Sequence, residues 1–140
     1  MFQAGVDLPV RTIITVFCGV GLYAAVFMLR KTKRAQRGEL QEPSVVETPR
    51  ARLFGGVPNA LLGLLYYPAF AAAVWIASEP WELGALLAVS GGVALVSVVL
   101  AYSLLFITRM PCVYCWSAHV VNWSLFACNA FLLFKISYWR

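Results

Sequence analysis

The sequence predicts an all-α integral membrane protein, a bundle of four transmembrane helices, and three observations carry that expectation. Of 140 residues, 61% belong to the hydrophobic set and only 12% are charged, with a mean hydropathy of +0.78. A water-soluble domain of ordinary composition carries about 25% charged residues. Apolar runs long enough to cross a hydrocarbon core of about 30 Å recur four times. Together they use nearly the whole chain, so residues 1–140 are expected to form a single membrane domain with no separate soluble module.

The first run covers about residues 8–29. A cleaved signal peptide is the competing reading, but residues 1–10 carry no basic residue and Arg11 is the only one before Arg30. No small-x-small cleavage site separates it from Arg30-Lys31, so it reads as an anchor helix. No lipidation box or retention signal is visible. Residues 30–56 are expected to form a polar loop, because Arg30–Arg52 holds seven basic residues against three acidic ones. Its cations suit the anionic headgroups of membrane lipid. No aromatic residue interleaves with them, which argues against a nucleic-acid partner.

The second run covers about 57–77 and the third about 83–107. Ser78-Glu79-Pro80-Trp81-Glu82 between them reads as a turn with an interfacial tryptophan. A short break at Thr108–Pro111 precedes the fourth run, about 113–136, and Ser137-Tyr138-Trp139-Arg140 closes the chain as an aromatic belt with a terminal charge. No internal repeat is present. With four spans, the first and third connections share one side of the membrane, and that side holds most of the Lys and Arg residues. The positive-inside tendency would place it in the cytoplasm.

The fourth run opens with Cys112-Val113-Tyr114-Cys115 directly after Arg109-Met110-Pro111. A Cys-x-x-Cys at a helix start is suited to disulfide exchange, because the positive end of the helix dipole favours thiolate over thiol. At about 100° per residue, Cys112, Cys115, His119 and Asn122 fall on one face. Polar groups at membrane depth are expected to turn toward the bundle interior. His119, one turn beyond Cys115, has two readings: a proton-passing or thiolate-stabilising group, or a side chain that bonds a neighbouring helix. Cys18 and Cys128 read as small buried hydrophobes.

On the second run, Asn59, Gly63 and the Tyr66-Tyr67 pair recur at helical spacing. Glycine permits close approach, and an amide and a phenol can donate hydrogen bonds to a carbonyl, as a quinone-type ring would require. A helix-packing face with an interfacial tyrosine is the equal alternative. Cys112, Cys115 and His119 could also approach a soft metal, but a fourth ligand is needed and none is evident, so no metal site is expected.

Two blocks in this chain resemble the vitamin K epoxide reductase family. They are Pro111-Cys112-Val113-Tyr114-Cys115-Trp116-Ser117-Ala118 and Arg52-Leu53-Phe54-Gly55-Gly56-Val57-Pro58-Asn59-Ala60-Leu61-Leu62-Gly63. The four-span layout is similar too, so the resemblance covers most of the chain. It implies a quinone-coupled thiol–disulfide oxidoreductase, with Cys115 facing the quinone and Cys112 exchanging with a partner. It places Asn59 and His119 as hydrogen-bonding contacts to the ring, His119 standing where the family often has tyrosine. Gly63 and Tyr67 complete the expected binding face.

The resemblance implies a quinone of ubiquinone, menaquinone or vitamin K type, and a prokaryotic cell membrane or endoplasmic reticulum membrane with the cysteines extracytoplasmic. Family members carry a further cysteine pair in the loop after the first helix. Residues 30–56 contain none, and Pro43-Ser44 stands about where it would be. That departure implies direct exchange between Cys112 and an external, thioredoxin-like dithiol protein. The competing class is a non-catalytic membrane scaffold or a metal-binding subunit with a degenerate site.

Overall fold

The computed structural model describes residues 7–53 and 56–139. Phe54 and Gly55 of the second block and the terminal Arg140 lie outside the described residues.

Four helices dominate: α1 (Asp7–Gln36), α2 (Asn59–Ile76), α3 (Pro80–Ser103) and α4 (Val113–Tyr138). All four are long and apolar enough to cross a membrane, the third together with a single π turn at Leu104–Thr108. The chain is therefore an integral membrane protein with a four-helix bundle fold. Between α1 and α2 run two short 3-10 turns, Val45–Glu47 and Pro49–Ala51. A two-residue antiparallel ladder follows, β1 (Arg52–Leu53) pairing with β2 (Val57–Pro58), Arg52 opposite Pro58.

Two boundaries differ from the sequence expectation. The first helix continues seven residues into the expected polar loop. Six of the seven residues 30–36 are Lys, Arg, Ala or Gln, all good helix formers; the seventh is Thr32, and there is no Gly or Pro. The helix stops where Gly38 takes a left-handed φ of +70°, which costs glycine nothing. The expected turn at 78–82 is likewise shorter. Pro80 occupies the first helical position, where its missing N–H is no loss. Glu82 folds back as a cap, its Oε2 accepting from the backbone N–H groups of Ser78 (2.7 Å) and Glu79 (2.9 Å). Trp81 is 72% exposed, as an interfacial residue would be.

Helix α1 packs against α2 and α4, and α4 packs against α3, while α2 and α3 scarcely touch. Much of the buried apolar packing lies toward the end where α1 begins and α4 ends. Ile14, Phe70, Val74, Leu83, Leu125 and Leu132 are buried there, with Cys18 among them. Polar side chains pin the helices in the same half. The Arg11 guanidinium donates to the Val74 carbonyl, Trp75 Nε1 donates to Thr15 Oγ1 at 2.8 Å, and Asn129 Nδ2 donates to the Leu83 carbonyl at 3.2 Å. In a lipid solvent such bonds replace the water-driven attraction that holds soluble bundles together. Toward the other end the helices part, and the 43–53 segment lies across the opening with Ser44 and Val46 buried.

Candidate functional site

The start of α4 is fixed by its own sequence. Pro111 cannot continue a helix from the preceding turn, and Arg109 reverses the chain with a left-handed φ of 52°. Cys112 then serves as the N-cap, and the Cys115 N–H donates to its Sγ at 3.2 Å. A sulfur thus takes the place of the usual oxygen in satisfying an orphan N–H of the first turn. Tyr114, between the cysteines, stacks on Phe27 of α1 with ring centroids 3.8 Å apart and planes 16° from parallel. That contact locks the helix start against α1. Cys112 and Cys115 are joined as a disulfide with Cα atoms 5.3 Å apart, and both are half-buried.

Where α2 and α3 part, a cavity of about 640 Å³ opens beneath the 43–53 segment. Its walls bring together Asn59, Gly63 and Tyr67 of α2 with Cys115 and His119 of α4. Five of the six site residues expected from sequence therefore share one chamber. The sixth, Cys112, stands outside the lining, toward the rim. The two sulfurs of one disulfide thus face different surroundings.

Four polar groups in this lining are buried without a hydrogen-bond partner: Asn59 Oδ1, Tyr66 OH, Ser103 Oγ and His119 Nδ1. Such groups are costly in an apolar interior unless something pairs with them. Asn59 is held in place by its other end, Nδ2 donating to the Arg50 carbonyl at 2.8 Å. The His119 ring sits between Trp116, edge-on at 6.1 Å, and Trp123 at 6.2 Å. No hydrogen bond joins His119 to either sulfur among the described contacts, so the ring belongs to the cavity wall and to its tryptophan neighbours.

Tyr67 makes a different connection. Its hydroxyl donates to Asn122 Oδ1 at 2.9 Å, and Asn122 Nδ2 donates to Ser97 Oγ at 2.7 Å. This chain crosses from α2 through α4 to α3 along the cavity wall. Close packing supports it: a Cβ placed on Gly63 would meet the Tyr67 ring at 3.2 Å and Ala25 at 3.3 Å.

Sequence reasoning assigned no site residue to α3 or the π turn after it, yet Ser97 and Ser103 of α3 and Thr108 of that turn line the chamber. Ser97 and Ser103 are 2% and 1% exposed. The available signal was their recurrence as small polar residues in an otherwise apolar run, which at membrane depth points inward. Cys18 is buried and Cys128 is half-buried; both are free thiols among apolar neighbours. No group of three or more His, Cys, Asp or Glu side chains converges on a common point among the described residues.

The wall given by α3 is mostly apolar, with Val89, Val93, Val96 and Leu100, while Thr32, Thr48 and Arg50 line the side nearest the 43–53 segment. The chamber can therefore hold a flat apolar molecule that presents a few hydrogen-bonding atoms toward Asn59, Tyr66 and His119. A disulfide at its edge can meet that molecule through Cys115 and a water-borne thiol through Cys112. Compared with known families, residues 12–130 match the one described as Vitamin K epoxide reductase family. No curated protein matches the chain.

Proposed function

The chain belongs to the vitamin K epoxide reductase family, and from that premise we propose that this membrane oxidoreductase couples a dithiol protein to a lipid-borne quinone through Cys112 and Cys115. The observation that carries the reading is the chamber beside Cys115, where the Tyr66 hydroxyl and His119 Nδ1 have no hydrogen-bond partner and Asn59 Nδ2 is tied through one bond only, to the Arg50 carbonyl. A quinone ring fits that lining. It is flat and largely apolar, and its two carbonyls accept hydrogen bonds that the Tyr66 hydroxyl, an imidazole N–H and the second Asn59 N–H can donate.

In the exchange half, a partner thiolate attacks Cys112 Sγ in line with the disulfide. A partner–Cys112 bond forms, the Cys112–Cys115 bond breaks, and Cys115 leaves as thiolate. The partner's second thiolate then breaks the mixed disulfide, freeing Cys112 and oxidising the partner by two electrons. The first turn of α4 favours negative charge on these sulfurs, and the Cys115 N–H already donates to Cys112 Sγ. In the second half, two electrons and two protons pass from the dithiol to a quinone held beside Cys115, and the Cys112–Cys115 disulfide re-forms. The quinone supplies the redox chemistry; the protein supplies position and proton-bearing groups.

Within 30–53 and at Gly56 no cysteine is available to relay electrons, and Ser44 lies buried where the resemblance would place one. Cys112 therefore exchanges directly with the external protein. The test is Cys115→Ala reconstituted in lipid with a reduced thioredoxin-like protein and a soluble quinone. Quinol formation is expected to vanish; undiminished turnover would refute the assignment.

A further inference from the structure

The formal net charge of the chain is +5, and its distribution is lopsided. At the rim where Cys112 lies, eight Lys and Arg residues (30, 31, 33, 34, 37, 50, 52 and 109) stand against three glutamates, 39, 42 and 47. The rest of the sequence holds three cations against three anions. The whole net charge therefore belongs to the face that carries the cysteine pair.

The helical extension of α1 decides what can meet this charge. Thirty residues rise about 45 Å, while the hydrocarbon core takes about 30 Å. The apolar run ends at Leu29, so Arg30, Lys33, Arg34 and Arg37, all exposed, climb about 10 Å along the following two turns. A headgroup layer is about 5–7 Å deep on each side, so the outermost of these side chains stand at or beyond its outer edge. Nearer the thiols are Arg50, whose residue lines the chamber with Cys115, and Arg109, exposed three positions before Cys112. Glu39 offsets part of the field by pairing with Arg34 at 3.7 Å and Arg37 at 3.9 Å, exposed contacts of small worth. Glu47 is turned onto the Ser44 N–H at 3.0 Å. Around Cys112 itself the surface is accessible, with Val113 76% exposed.

We infer that this rim is an electrostatic docking face for a dithiol protein whose own cysteine pair is surrounded by Asp and Glu residues. The inference rests on the oxidoreductase reading above and names the chemistry of its partner. Complementary charge brings such a protein to Cys112 and orients it, and raises the encounter rate more than the final affinity. The positive field is carried by ordered backbone, namely the last two turns of α1 and Arg37 just past them, the 3-10 turn Pro49–Ala51 with the paired Arg52 after it, and the left-handed turn at Arg109. It is therefore in place before the partner arrives.

The experiment uses the full chain in nanodiscs of neutral phosphatidylcholine. Three reduced probes are offered: a Cys-x-x-Cys peptide flanked by Asp and Glu, the same peptide flanked by Lys, and dithiothreitol, which carries no charge. Each rate of opening the Cys112–Cys115 disulfide is read by thiol labelling and normalised to that probe's rate with a small neutral disulfide. The acidic peptide is expected to act at least about tenfold faster than the basic one at low ionic strength, with the gap closing in high salt. Replacing Arg30, Lys33, Arg34 and Arg37 together by Gln removes most of that advantage and leaves the dithiothreitol rate unchanged. Equal peptide rates, with dithiothreitol active, overturn the docking face alone. An advantage that disappears when the discs contain phosphatidylglycerol assigns the rim to anionic lipid and also overturns it. A disulfide that no probe opens, dithiothreitol included, defeats the oxidoreductase reading instead.

Discussion

Replacing Gly21 by alanine tests whether the chamber wall is as tightly set as its geometry implies. A Cβ at Gly21 would lie 2.5 Å from two carbons of the Tyr67 ring and 2.9 Å from a third. Carbon atoms rest at about 3.5–4.0 Å, so the ring must retreat by about 1 Å. Tyr67 is 3% exposed, and its open side is the chamber. A shift of about 1 Å strains the hydroxyl's bond to Asn122, now 2.9 Å long. Overpacking of this kind costs about 1–3 kcal/mol, and loss of the strained bond adds about 1 kcal/mol, with Asn122 Oδ1 left unpaired. The expected sum is about 2–4 kcal/mol, a fall of about 5 °C or more in thermal unfolding of the purified protein. Quinone reduction should also fall, because the displaced ring enters the chamber. In a Tyr67→Leu background the same Gly21 substitution should cost far less, since the clash has no partner. An unaltered unfolding temperature in Gly21→Ala, or an equal penalty in both backgrounds, would refute the reasoning.

Three further outcomes follow from the same geometry. Asn59→Ala loses the tie to Arg50, worth about 1 kcal/mol of stability, but is expected to lower quinone reduction at least tenfold. Parallel measurements of unfolding and turnover check this, and losses of equal size would return Asn59 to a packing role. His119→Tyr keeps a donor in the chamber and is expected to retain measurable quinone reduction, whereas His119→Phe removes the donor and is expected to raise the KM for quinone severalfold. Steady-state kinetics with one quinone in both variants compares them. Asn122→Leu breaks the bonds to Tyr67 and Ser97 together and should destabilise by about 1–2 kcal/mol. Ser97→Ala, which breaks only one bond, should cost less than half as much in the same unfolding assay.

The four helices were legible because bilayer thickness imposes a length that composition alone can reveal. The Cys112–Cys115 site was legible because a proline, a Cys-x-x-Cys and a polar stripe coincide at one helix start. Two boundaries were not. Polarity marked Arg30–Gln36 as loop, yet backbone propensity continues the helix, so solvation and helix formation do not exclude each other there. Proline at position 80 looked like part of a turn because its effect depends on whether it falls first in a helix or within one. The contribution of α3 to the chamber was hidden for another reason. Ser97 and Ser103 recur as small polar residues in an apolar run, which points them inward, but only the packing of α4 against α3 shows which neighbours and which cavity they meet. The tie of Asn59 to the Arg50 carbonyl was also hidden, because folding of the 43–53 segment supplies that partner, a long-range event that no local pattern encodes.

The central claim is that Cys115 passes electrons into the chamber it lines. Its most direct test is a single turnover: purified protein with Cys112 and Cys115 reduced, freed of excess reductant and mixed with a slight excess of quinone. One quinol per protein should form, with the Cys112–Cys115 disulfide recovered by peptide mapping and Cys18 and Cys128 still reduced. Oxidation of the pair without quinol, or quinol formed while both thiols remain free, would contradict the account.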